Sequence, residues 1–155
     1  MTKYVRYSDI RNQNKFSKMV EVAMTINRDI GTISRGRMNL TALALDSSGS
    51  ILSVGKNNYC KSHTYQWRMA DTATKINNNP DLAPKIFIHA EVDAITRAYG
   101  RIKHGTHNNN SNKSTFIHTL IVARTIRGGD IADAMPCMIC RLAIDNAGIS
   151  NVIHT

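Results

Sequence analysis

Two stretches of this chain each pass from a short apolar run into a helical pattern, and each carries metal-capable side chains at the junction. The first is "IFIHAEVDAITRAYG", with His89 and Glu91, and the second is "ADAMPCMICRLAIDN", with Cys137 and Cys140. A fold that uses these side chains together must bring two helix N-termini to one point, which leaves few arrangements open to a chain of 155 residues. On its own the cysteine pair admits three readings: a disulfide, a redox-active thiol pair, or half of a metal site.

Length and composition narrow those readings. The chain is the size of one domain, spanning 1–155, with one core and one site. Its opening residues, "MTKYVRYSDIRNQNKF", are charged from the start and hold no apolar leader core, and no apolar run is long enough to span a bilayer. The expectation is a soluble, unexported, cytoplasmic protein. Three cysteines cannot all pair within one chain, and a reducing compartment keeps thiols free, so a structural disulfide is the weakest of the three readings. The balance of 20 Lys and Arg against 11 Asp and Glu gives a formal charge of +9 and a pI near 9.8. That charge suits a nucleotide phosphate or a nucleic-acid backbone, although many basic proteins bind no polymer.

Periodicity sets the remaining elements. Phe16, Met19, Val20, Ala23, Met24 and Ile26 recur at helical spacing and predict a helix over "FSKMVEVAMTINR". The runs Leu40–Leu45 and Ile51–Val54, joined by "DSSGS", predict a β-hairpin with Gly49 supplying the turn's backbone angles. Any helix within "TYQWRMADTATKI" must stop before Pro80 and Pro84. The helix after His89 is expected to end at Gly100. "RIKHGTHNNNSNKST" reads as a surface loop, "TFIHTLIVART" as a buried strand, Cys137–Ala147 as a helix stopped at Gly148, and "SNVIHT" as a last strand. Helix, hairpin, helix, strand, helix, strand is the order of a layered α/β domain.

One imidazole and two thiols supply three ligands. A catalytic zinc site keeps its fourth tetrahedral position for water, whereas a structural site closes it with a fourth protein ligand. Cysteines separated by two residues at a helix start can both face one ion, and the positive end of the helix dipole favours their thiolates. Glu91, two residues beyond His89, is placed to exchange a proton with a metal-activated water.

The pair H-A-E and P-C-x-x-C, complete here at His89, Ala90, Glu91, Pro136, Cys137 and Cys140, resembles the signature of the zinc-dependent cytidine deaminase superfamily. The resemblance implies a three-layer α/β/α cytidine deaminase-like fold, with a mixed sheet of about four to five strands and Zn2+ at two helix N-termini. It also implies hydrolytic deamination, with activated water attacking the ring carbon that bears the exocyclic amine and Glu91 shuttling the proton. Substrates in the superfamily include free nucleotides such as deoxycytidylate, nucleosides, and bases in single-stranded DNA, RNA or tRNA. Relatives commonly form dimers or larger assemblies. A Gly-aromatic-Asn element of the family aligns with "VGKNN", where Lys56 stands in the aromatic position, and carries a substrate contact onto Asn57 or its neighbour Asn58. "NNYCKSHTYQW" is similar to small phage-encoded deaminases and adds His63 and Tyr65, with Ala90 of the H-A-E motif, as candidate substrate contacts. Many relatives continue beyond the point corresponding to Thr155, so the resemblance carries over no recognition element of that tail.

Other side chains have both functional and structural readings. Tyr59, Tyr65 and Trp67 can stack on a base or pack a loop onto the core. Cys60 is a possible metal neighbour but better read as a buried thiol. The alternative from another class is a non-catalytic nucleic-acid-binding module, whose structural zinc would recruit Cys60 or His63 as its fourth ligand. His104, His107, His118 and His154 are read as non-catalytic, and Arg28, Arg35 and Arg37 as a solvated face able to meet phosphate.

Overall fold

The protein is described by a computed structural model covering residues 1–10, 14–29, 39–82, 87–103, 116–126 and 130–155. The chain begins with β1 (Lys3–Arg6), a single turn α1 (Tyr7–Ile10) and α2 (Asn14–Asp29), followed by β2 (Asn39–Leu45), β3 (Ile51–Lys56) and β4 (Asn58–Ser62). Then come α3 (Thr64–Asn77), a 3-10 turn at Pro80–Leu82, β5 (Phe87–Ile88) and α4 (Ala90–Lys103). Strands β6 (Thr119–Thr125) and β7 (Ile131–Ala132), helix α5 (Met138–Asn146) and β8 (Asn151–His154) complete the order.

Alternation along the central strands creates two separate cores. In β2, Ala42 and Ala44 face one apolar cluster while Leu43 and Leu45 face the other. In β6, Leu120 and Val122 oppose Ile121 and Ala123 in the same way, as Val152 opposes Ile153 in β8. Each of these strands is therefore buried on both faces and needs helices on both sides. The first cluster is completed by α4 and α5 through Ala90, Ala94, Ile95, Ala98, Ala143 and Ile144. The second is completed by Val20, Ala23 and Met24 of α2. Each fully buried Leu or Ile contributes roughly 1.5–3 kcal/mol of transfer free energy, which makes a one-residue slip of register prohibitive.

The sheet has six strands in the order β1-β8-β6-β2-β3, with β7 added against β6. Pairing is parallel for β1 with β8 and for β8 with β6, and antiparallel for β6 with β2 and β2 with β3. The three-layer α/β/α arrangement with a mixed sheet agrees with expectation, and the sheet is wider than the four to five strands anticipated. The extra strands are short, and β1 is a four-residue strand with a polar, charged pattern that carries too little periodicity to register. A second sheet, β4 with β5, lies outside the main one.

Helix α3 ends where the prolines required: Asn78 adopts a left-handed conformation (φ 48°) just before Pro80. The hairpin turn places Gly49 at φ 87° and the stop after α5 places Gly148 at φ 67°, both as expected. Helix α4 does not stop at Gly100 but runs to Lys103. A single glycine costs about 1 kcal/mol in a helix, less than the apolar face ending at Ala98 and Tyr99 returns by packing. The Asn-rich segment expected to be a loop lies, from residue 104 to 115, outside the described residues, as do Arg35, Arg37, His104 and His107.

A buried polar junction locks α2 to the sheet. Asn27, fully buried, donates from Nδ2 to the Asn39 carbonyl (2.8 Å) and to Thr125 Oγ1 (2.9 Å), and its Oδ1 accepts from the Thr41 hydroxyl (3.3 Å). Among the described residues no helix is long and apolar enough to cross a membrane.

Candidate active site

The first half of the site grows out of the β5–α4 junction. The His89 carbonyl accepts from the Asp93 N–H (3.0 Å), which puts His89 at the cap position, with Ala90 opening the helix and Glu91 in its first turn. Ala90, Ala94, Ile95 and Ala98 turn to the sheet, while the acidic side chains of Glu91 and Asp93 sit at the positive end of the helix dipole. The second half grows out of the segment before α5. Arg124 Nη1 donates to the Asp133 carbonyl (3.1 Å), the Ala134 N–H to the Thr155 carbonyl (2.8 Å), and Arg141 Nε to the Pro136 carbonyl (3.0 Å). Pro136 itself is buried, Cys137 is the cap residue, and the helix proper starts at Met138. The Cys137 side chain caps no backbone group, so its thiol is free to face the site.

The two junctions meet. Nδ1 of His89 lies 3.4 Å from Sγ of Cys137 and 3.3 Å from Sγ of Cys140, and the three donor atoms all stand within 4.8 Å of one another. A tetrahedral zinc, with bonds of about 2.0–2.1 Å to nitrogen and about 2.3 Å to sulfur, separates such donors by about 3.5 Å. The donor set and its spacing fit Zn2+. Among the described residues this is the one His, Cys, Asp and Glu group able to hold an ion, and it has three members. A fourth ligand from Cys60 or His63 is not part of it. All three cysteines are free, so the disulfide reading falls.

Electrostatics divides the two thiols. The Cys137 thiol is drawn down to about 4, chiefly by the hydrogen bond from Cys140 and then by His89, against the opposing effect of burial. Burial, followed by the bond to Cys137, pushes Cys140 well above the ordinary thiol range. Cys137 is thus a ready thiolate. Glu91 is buried at 3 % exposure, and burial raises its carboxyl above the usual carboxylate range, with His89 opposing. Its Oε2 is buried without a hydrogen-bond partner. An unsatisfied carboxyl oxygen in the interior is costly unless something polar is to meet it there.

The remaining sequence candidates have mixed placements. Asn57, at the end of β3, accepts from the Leu40 N–H through Oδ1 (2.8 Å), and the adjoining Lys56 N–H donates to Asp93 Oδ2 (3.0 Å), so this loop is tied to the first turn of α4. Asn58 accepts from the Cys60 N–H (2.9 Å). His63 caps α3, its Nδ1 accepting from the Tyr65 N–H (3.1 Å). Tyr65 donates its hydroxyl to the Ala143 carbonyl (3.4 Å) and accepts from Asn146 Nδ2 (3.0 Å), toward the far end of α5 from Cys137. Both side chains have a structural task. Ala90 is fully buried at the start of α4.

Cys60, expected to be buried, is exposed: it sits on β4 of the small outer sheet, away from either core. Tyr59 packs on Phe87 (ring centroids 5.2 Å), and Trp67 is 55 % exposed on α3. His118 is exposed beside Thr119, while His154 is buried near Asp133 (3.5 Å), and neither joins the cluster. Arg28 is exposed at the end of α2.

Three side chains around the site were not singled out by the sequence. Gln66 accepts from the His89 N–H (3.4 Å), Phe87 stacks on the His89 ring, and Asp93 holds the β3 loop. Only Asp93 stood in a recognisable place, as a second acidic residue in the first turn of a helix.

No curated protein matches the chain significantly. The family described as the cytidine and deoxycytidylate deaminase zinc-binding region matches residues 13–155, taking in both helix junctions and every strand of the main sheet except β1. Strand-to-helix junctions that converge a histidine and two cysteines beside a buried glutamate are thus carried on a matching frame, and the chain belongs to the cytidine and deoxycytidylate deaminase zinc-binding family.

Proposed function

We propose that the protein hydrolytically deaminates a cytosine nucleotide or nucleoside, with deoxycytidylate as the first substrate to test. The observation that carries this reading is the Glu91 carboxyl, buried with Oε2 unpartnered, directly beside the three-ligand cluster of His89, Cys137 and Cys140. A carboxyl whose pKa is raised by burial can take a proton and return it. His89, Cys137 and Cys140 would hold a zinc ion, which when bound would supply Lewis-acid activation of water.

The residues of the chain do the rest. Glu91 accepts the proton that water gives up as its oxygen bonds to the ring carbon and passes it to the adjacent ring nitrogen, then carries the hydroxyl proton to the exocyclic nitrogen. The carbon–nitrogen bond breaks, ammonia leaves, and the ring keeps a carbonyl. The loop ending β3, tied down by Asp93, presents Asn57 and Asn58 as base or sugar contacts. The net charge of +9 favours a phosphate-bearing substrate over a neutral nucleoside. An assembly of several copies is part of the same proposal, since relatives commonly assemble.

Ammonia release from deoxycytidylate, cytidine, adenosine, guanine and single-stranded oligonucleotides tests the reading. Turnover of deoxycytidylate, with cytidine slower, is the expected result. Activity confined to oligonucleotides overturns it in favour of a polynucleotide deaminase.

A further inference from the structure

His89 stands at the junction of β5 and α4. It follows a two-residue strand and caps a helix, so neither element fixes its ring. Two neighbours from outside the main sheet do. Gln66, in the first turns of α3, is fully buried, and its Oε1 accepts from the His89 backbone N–H at 3.4 Å. Burying a primary amide is costly unless its polar atoms are engaged, and the other side chains that α3 buries, Ala70 and Ala73, are small and apolar. At this one position an amide gives the His89 backbone a buried acceptor.

Phe87 acts on the ring. Its centroid lies 5.2 Å from that of the His89 imidazole, with the planes 29° apart, a stacked geometry. Behind it stands Tyr59, 5.2 Å away and tilted by 40°. Tyr59 and Phe87 belong to β4 and β5, whose pairing sets Ser62 opposite Phe87 and Asn58 opposite Ile88. The small sheet thus forms an aromatic wall against one face of the imidazole, while α3 holds its backbone.

We propose that Gln66 and Phe87 are positioning residues that hold His89 with Nδ1 aimed at the two sulfurs, and that the β4–β5 sheet with α3 exists to preorganise this ligand. The proposal rests on the zinc reading of the cluster. Partners that orient a metal-binding histidine are worth about 10–100-fold in metal affinity, and a ligand that must be reoriented on binding forfeits that factor.

The test uses the full chain stripped of metal, titrated with zinc against a chromophoric chelator. The variants are Gln66→Met, Gln66→Asn and Phe87→Leu, with Thr72→Ala on the same helix as control. Wild type and T72A are expected to bind one zinc per chain with equal affinity. Each of the others should bind about 10–100-fold more weakly, and their cobalt(II) complexes should show shifted ligand-field bands. Variants that unfold at a lower temperature with and without metal, yet keep wild-type zinc affinity and cobalt spectrum, overturn the proposal by showing a purely structural role. A wild-type chain that takes up no zinc overturns the site reading itself, and the proposal with it. If Q66M does not fold, Q66N and F87L decide the matter by the same criteria.

Discussion

Gly55 of β3 lies so close to Ala90 that a Cβ added to it would stand 2.1 Å from the Ala90 carbonyl oxygen, 2.3 Å from the Ala94 nitrogen and 2.8 Å from the Ala94 Cα. All three are backbone atoms of α4, which cannot turn aside as a side chain can. The missing side chain lets the helix that carries Glu91 seat directly on the strand that leads into Asn57. Gly55→Ala is expected to force α4 from the sheet, lowering stability by about 2–3 kcal/mol, at the upper end of overpacking costs. It should weaken zinc binding as well, because His89 caps the displaced helix. Chemical denaturation and chelator competition on the same variant check both effects.

Glu91→Gln keeps the shape of the side chain and removes the proposed proton shuttle. Deamination should fall about 10²–10⁴-fold. Zinc content should stay at the wild-type level, since the cluster is made by the other three residues. Stability should hold or rise, because a buried carboxyl with an unpartnered oxygen is replaced by a neutral amide. Ammonia release, metal analysis and urea unfolding separate the three statements.

Gly100 lies inside α4, with nothing within 4 Å of where a Cβ would stand. Alanine there has open space and a helical backbone to adopt. Gly100→Ala is expected to stabilise the protein by about 0.5–1 kcal/mol, as less freedom is lost on folding. Activity should not change. A raised thermal midpoint with unaltered turnover is the signature.

Asp46 governs the hairpin turn between β2 and β3. Its Oδ1 accepts from the Ser48 N–H (2.8 Å), the Ser48 hydroxyl (2.6 Å) and the Ser50 N–H (2.9 Å). Burial pushes its pKa up, but the bonds from Ser48 and Ser50 outweigh it and hold the carboxyl below its ordinary value. A carboxyl depressed in the folded state adds stability at pH values above its unfolded pKa of about 3.9, and loses it as pH falls through the folded value. The stability gap between wild type and Asp46→Ala should be constant from pH 7 to about 5 and close below about 4. Urea midpoints of the two proteins across that range measure it.

Much of this was legible in the linear chain. The α2 stripe, the hairpin around Gly49, the β-branched β6 run and the Gly148 stop each depend on local periodicity or a single backbone angle, and each stands where the pattern put it. The cluster was legible for a different reason: His, Glu and paired Cys at two helix starts are rare chemistry at fixed spacing. What failed were judgements on neighbours. Gly100 looked like a stop because glycine ends many helices, yet the helix runs on to Lys103, since a single glycine costs a helix only about 1 kcal/mol. Cys60 looked like a core thiol because cysteine usually is one, yet its strand pairs only with β5 in a small sheet outside the main one.

By itself the sequence determined the layered α/β frame, the candidate ligands His89, Cys137 and Cys140, and Glu91 as a candidate base beside them, because periodicity and ligand chemistry are written residue by residue. Only the tertiary structure decided that Gln66 and Phe87 face His89, that His63 and Tyr65 have structural partners at α3 and α5, and that Gly55 is the seat of α4. Those relationships join residues far apart in the chain. They come from close packing of helices on a sheet, which no local pattern encodes.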